Sequence, residues 1–146
     1  LYSQLRNGNY FKLSDNSGPY AWDGTSMQLM GAPGASAVAR LLSAAGSVNS
    51  TLVKSSRGAI NHIVGHNAAA AVRYLKLYDK ATAPTVGTDT PTATLYIAAS
   101  GRFEFSFPAG LNFATGIGYG FTTAAADNST AALTAADILC LNIAYQ

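Results

Sequence analysis

The clearest hydrophobic pattern in the chain is RFEFSF, Arg102 to Phe107, in which Phe103, Phe105 and Phe107 alternate with Arg102, Glu104 and Ser106. A period of two places the rings on one face and the polar groups on the other, which predicts a half-buried β-strand. Comparable short runs predict further strands at Thr51 to Lys54, Ala59 to His66, Val72 to Tyr78, Ala93 to Ala98 and Ile138 to Tyr145. Leu111 to Thr123, LNFATGIGYGFTT, reads as a strand interrupted by Gly116, Gly118 and Gly120, a pattern of bulging or close packing. Ser55 to Gly58 and Ser100-Gly101 are turns by composition, and AAADNSTAALTAAD is a loop. Ser36 to Ala45, SAVARLLSAA, reads as a strand or extended linker ended by Gly46.

Before that point the chain has a different character. Tyr10 to Leu13 and Tyr20 to Trp22 read as the two arms of a β-hairpin, with SDNSGP as its turn. Asp23-Gly24 marks a second tight turn leading into Thr25 to Met30, and GAPGASA is a flexible joint. Glu104 is the only glutamate, and Pro and Gly recur between the runs, so long helices are disfavoured. The expected fold is all-β: an antiparallel β-sandwich or jelly-roll-like domain over residues 49–146, preceded by an N-terminal β-hairpin arm and linker over residues 1–48.

Composition sharpens this picture. At 146 residues the chain is long enough for one domain with a real core. Charged residues make up only 11% of it, against about a quarter in ordinary soluble domains. Much of the apolar share is alanine, so the core must draw on Tyr, Phe, Leu, Ile and Val. A net charge of +2, with Lys and Arg scattered, gives no footprint for nucleic acid. No apolar run reaches the ~18 residues of a membrane-spanning helix. No signal-peptide pattern is present, and the start at Leu1 rather than Met implies that residues precede it. Cys140 is the only cysteine, which excludes an intrachain disulfide; within DILCLNIAY it is expected to be a buried, reduced thiol.

Candidate chemistry is sparse. His62 and His66 are four residues apart, a metal-gripping spacing on a helix. On a strand the same spacing separates them by roughly 13 Å, so they are expected to be ordinary strand histidines. The seven acids (Asp15, Asp23, Asp79, Asp89, Glu104, Asp127 and Asp137) sit mostly in turns or at strand ends and form no glycosidase-type motif. No G-x-S-x-G elbow occurs. Neither VGTDTP nor Gly116-Ile-Gly118-Tyr-Gly120 meets the requirements of a nucleotide loop. Asn49-Ser-Thr and Asn128-Ser-Thr fit the glycosylation sequon, which matters only in a secretory pathway. The reading is therefore of a non-enzyme without catalytic residues, cofactor or metal. On the Val72 to Tyr78 strand, Leu75 and Leu77 are expected to face the core. Tyr74, Lys76 and Tyr78 then form an outer stripe suited to an oligomer contact or a ligand platform.

Three stretches, RYLKLYDKATAPTVGTDTP, FATGIGYGFT and DILCLNIAY, carry a family resemblance. Together, over Thr51 to Tyr145, the chain resembles a group of small virion-associated proteins of tailed bacteriophages and prophages. The resemblance implies a structural place in the particle, most naturally a capsid decoration or head fibre, and it transfers no catalytic residue. It implies a homotrimer, with the major capsid protein or another virion protein as partner, assembled into the virion in the bacterial cytoplasm. A tail or neck fibre, or a module binding host-surface glycan, is the alternative. The N-terminal region lies outside the shared part, and Tyr10, Phe11, Tyr20 and Trp22 are its expected attachment residues.

Overall fold

The computed structural model describes residues 37–146 throughout and, before them, the backbone strands at residues 2–4, 10–12, 20–22 and 27–29. The chain divides into two compact units, Leu1–Ala32 and Pro33–Gln146. In the first, β1 (Tyr2–Gln4) pairs with β2 (Tyr10–Lys12), and β3 (Tyr20–Trp22) pairs with β4 (Met27–Leu29), both antiparallel. The predicted pairing of Tyr10–Leu13 with Tyr20–Trp22 is therefore replaced by two separate hairpins. Each partner actually chosen lies across a shorter connection, 5–9 or 23–26 rather than 13–19, and shorter loops cost less entropy to close. The turn expected at Asp23-Gly24 lies outside the described residues.

The second unit contains eight strands: β5 (Ala37–Ser43), β6 (Thr51–Lys54), β7 (Gly58–Asn67), β8 (Arg73–Asp79), β9 (Ala93–Ile97), β10 (Gly101–Phe113), β11 (Ile117–Thr122) and β12 (Ile138–Tyr145). Among the described residues there is no helix. The strands form two four-stranded antiparallel sheets, in the orders β10-β7-β12-β5 and β6-β11-β8-β9. The pairings β8–β9, β7–β10, β6–β11 and β5–β12 nest around the connection between β8 and β9. The unit is thus a long two-stranded ribbon rolled so that successive rungs alternate between sheets, which is a jelly roll. The strand character expected of Ser36 to Ala45 is present, and β5 pairs with β12 along most of its length. The sandwich therefore starts at Ala37, twelve positions before the expected boundary, because β5 pairs with β12 and packs Ala39 and Leu41 against the core.

The core lies between the sheets. Ile60, Ile63, Phe113, Leu141 and Ile143 enter it from one side, and Leu75, Leu77, Ile97, Ile117 and Phe121 from the other, all almost fully buried. Phe103 joins them, and Phe105 and Phe107 pack against the cluster while Arg102, Glu104 and Ser106 remain exposed, as the alternation predicts. Gly65 makes room for Phe103, whose ring would lie 2.5 Å from a Cβ at that position. Tyr119 also turns inward, with its ring 5.7 Å from that of Phe121.

Two acids pin the ends of the ribbon. Asp137 accepts from Arg73 Nε at 2.8 Å and from the backbone N–H of Thr134 at 2.9 Å, closing the loop before β12. Asp79 accepts from the backbone N–H groups of Thr115 (2.7 Å), Ala114 (3.0 Å) and Gly116 (3.2 Å), shaping the β10–β11 turn. Gly116 has no room for a side chain, since its Cβ would stand 2.4 Å from the carbonyl oxygen of Lys80. The Thr115 amide above all, with those of Gly116 and Ala114, holds the Asp79 carboxyl below its ordinary range, against an opposing cost of burial.

A depressed folded-state pKa gives stability that is complete above the unfolded value of about 3.9 and is lost as pH falls through the folded value. Asp79→Asn should therefore be less stable than the wild type at neutral pH, with the gap narrowing on acidification from about pH 5 to pH 2. Urea midpoints of the two proteins across that range check this. A gap that stays constant or widens on acidification contradicts it.

Candidate functional site

The two sheets of the sandwich present very different outer faces. On the β6-β11-β8-β9 sheet, the outward positions of β11 are Gly118, Gly120 and Thr122, and those of β8 are Tyr74, Lys76 and Tyr78. Gly118 and Gly120 leave a shallow trough into which the loop at 80–92 settles. Pro84 would lie 2.9 Å from a Cβ at Gly118, and Val86 Cγ2 would lie 2.5 Å from one at Gly120. The register also shifts between Ile117 and Gly118 where β11 pairs with β6. Both roles read from the glycines, bulge and close packing, are thus present.

The loop at 80–92 is held by its own polar groups. Asp89 Oδ2 accepts from Lys80 Nζ at 2.6 Å and from the Thr85 N–H at 2.6 Å. Thr88 and Asp89 both donate their N–H groups to Thr85 O, and Ser50 Oγ donates to Pro84 O. The lysine contact first, with the Thr85 amide, keeps the Asp89 carboxyl below its ordinary range. At Gly87, φ is +88°, a left-handed conformation that favours glycine, and Thr130 Cγ2 would be 2.4 Å from a Cβ there. The loops at 80–92 and 123–137 therefore meet and form a roof over the sheet.

Beneath the roof, Lys76 is fully buried and Tyr78 is 1% exposed. The expected outer stripe of Tyr74, Lys76 and Tyr78 is therefore corrected at two of its three positions. The face assignment holds, with Leu75 and Leu77 inside, but the opposite face is covered rather than solvated. The Lys76 ammonium donates to the backbone oxygens of Ala126 and, at 3.4 Å, Asp127. Burial lowers its pKa, partly offset by the Asp127 charge. The Tyr78 hydroxyl has no hydrogen-bond partner, and its pKa is pushed up to about 12 by burial first and then by the charges of Asp89 and Asp127. Only Tyr74 remains near the surface, edge-on to Tyr96 at 5.9 Å and 76°, and Tyr96 is 58% exposed.

The β10-β7-β12-β5 sheet keeps an accessible outer face. Strand register sets Arg40, Asn142, Val64 and Glu104 in one row across the four strands, beside a row of Val38, Ala144, His62 and Ser106. Val38 and Leu42 on the edge strand β5 are 57% and 67% exposed. His62 Nε2 lies 3.2 Å from Glu104 Oε1, and Arg102 reaches Glu104 Oε2 at 2.5 Å. Among the described residues no cluster of three or more His, Cys, Asp or Glu is placed to hold a metal ion. Cys140, expected to be buried, is exposed. The register shifts between Leu139 and Asn142, Cys140 takes a left-handed φ of 51°, and this bulge turns the thiol away from the core.

Tyr10 and Phe11 lie on β2, and Tyr20 and Trp22 on β3; the attachment surface assigned to their side chains falls outside the described residues. Sequence reasoning missed the roles of Asp79 and Asp137. Nothing local marks them, since their partners are 35–37 and 64 positions away except for Thr134, three positions before Asp137. No helix among the described residues is long and apolar enough to cross a membrane. Compared with known proteins, the chain matches no family model, no curated protein and no solved structure.

If the aliphatic stem of Lys76 supports the roof, its length matters more than its charge. Lys76→Met should cost less than about 1.5 kcal/mol, and Lys76→Ala about 2–4 kcal/mol through the cavity it leaves. Urea unfolding of both variants tests this, and equal losses would show that the charge, not the packing, is decisive.

Proposed function

We propose that the protein is a structural component of a tailed-bacteriophage virion, a capsid decoration or head-fibre protein. The observation that carries this reading is the rolled-ribbon topology, an architecture recurrent in viral coat proteins and in lectin domains. Three features support it. The stretches that resemble phage virion proteins are structural parts of the roll: RYLKLYDKATAPTVGTDTP forms β8 and half of the roof, FATGIGYGFT the glycine trough, and DILCLNIAY the central strand β12. The buried Lys76 and Asp137 hold loops, which fits a stiff building block. The accessible sheet face, with Val38 and Leu42 exposed along its edge, offers apolar area to a repeated neighbour. A homotrimer with a virion protein as partner is the assembly this reading carries.

Tyr96 favours a second reading, a tail or neck fibre module that stacks host glycan on this exposed ring, with the half-buried Tyr74 edge-on beside it. Cryo-EM of the intact particle separates the two: density for the chain on the capsid supports decoration, and density confined to the tail tip supports the alternative. Residues 33–146 form a compact unit of their own, so removal of residues 1–32 should leave a folded sandwich that no longer joins particles. The readouts are circular dichroism and co-sedimentation with virions. Undiminished particle association by the truncated chain would overturn the attachment role of the arm.

A further inference from the structure

A cleft opens at the end of the sandwich where β6 passes into β7, and its lining is basic. Its volume is about 300 Å³, and it is bounded by Lys54, Arg57, Gly58, Ala59, Asn112 and Gln146. Because β6 and β7 belong to different sheets, the turn at 55–57 bridges them and carries both cations to the same rim. Residues 37–146 contain seven lysines and arginines. Arg73, Lys80 and Arg102 have carboxylate partners, and Lys76 has two backbone carbonyls. Among the described residues, Arg40, Lys54 and Arg57 have no ion pair, and two of these three line this one cleft. In a chain so poor in charge, two neighbouring cations that form no ion pair leave donor capacity that a bound anion can take up.

The chemistry of the rim narrows the ligand. A guanidinium presents paired donors that match the oxygens of phosphate or carboxylate, and the lysine adds a mobile point charge. The Asn112 side chain supplies a neutral donor at the same cleft. The amide of Ala59 is already committed to Gln146 O at 3.0 Å, so binding falls to the side chains. The volume is at the lower limit for small-molecule clefts, enough for one sugar-sized acid. Gly58 lets the walls close in at the floor: a Cβ there would stand 2.4 Å from Gln146 O and 3.0 Å from Lys54 Cδ. We propose that the Lys54–Arg57–Asn112 cleft binds a small oxyanion, a phosphate or carboxylate group carried alone or on a single sugar.

The test is a ¹⁵N NMR titration of the full chain at neutral pH with inorganic phosphate, with glucuronate and, at matched ionic strength, with sodium chloride. The expected result is a saturable shift of the Arg57, Gly58 and Asn112 resonances with phosphate or glucuronate. Whichever anion saturates identifies the group recognised. The double variant Lys54→Gln, Arg57→Gln should bind at least about tenfold more weakly. Its spectrum elsewhere should be unchanged, which guards against misfolding. Shifts that chloride reproduces, or full affinity in the double variant, would overturn the proposal.

Discussion

The outer face of the β6-β11-β8-β9 sheet is buried at its centre, over β11 and β8, because β11 carries hydrogen atoms where other strands carry side chains. Gly118 and Gly120 let Pro84 and Val86 descend onto the sheet, and the roof they begin covers Lys76, Tyr78 and Thr122. Much else follows from that descent. A fully buried ammonium is tolerable only with acceptors, and the backbone oxygens of Ala126 and Asp127 provide them. Those acceptors lie in the loop at 123–137, so the buried lysine ties this second loop to the sheet. Thr122 Oγ1 donates to Ala124 O at 2.7 Å and fastens the start of the same loop. Gly87 then lets the two loops touch.

The result is a sandwich with one side roofed at its centre and one side open. The roofed side uses polar groups for internal cohesion. On the accessible side they stand on the surface, as with His62, Arg102 and Glu104. The two edge strands of that sheet, β5 and β10, differ as well. One shows Val38 and Leu42 to solvent and the other shows Arg102, Glu104 and Ser106. Charged edges discourage strand addition, whereas an apolar edge such as β5 lacks that protection.

Much of the fold was legible because alternation reports directly on the pleat. RFEFSF declared both its faces, and most strands from Thr51 to Tyr145 were recognisable from short apolar runs bounded by turn residues. The stretch Leu111 to Thr123, expected as one interrupted strand, instead ends β10 at Phe113, turns, and resumes as β11 at Ile117. The same alternation separated Leu75 and Leu77 from Tyr74, Lys76 and Tyr78 correctly. It could not reveal that the polar face was covered, because a roof is built by residues far along the chain and a lysine reads as exposed by type. The glycines at 116, 118 and 120 signalled close packing without naming what packs. Cys140 was misjudged for a related reason: an apolar neighbourhood predicts burial, and only the bulge in β12 turns the residue outward. The basic cleft was invisible in the sequence, since Asn112 reaches Lys54 and Arg57 only through the rolled ribbon.

Residue-resolved hydrogen exchange of the wild type and of Gly120→Val tests the seating of the roof most directly. The amides of Thr88, Asp89, Thr123 and Ser129 donate within the two loops and should be protected in the wild type. In Gly120→Val they should exchange much faster, because the new side chain occupies the place of Val86, while amides in the β7–β12 pairing keep their protection. Loop amides that exchange freely in the wild type, or that are unaffected by the substitution, would contradict a roof seated on the glycine trough.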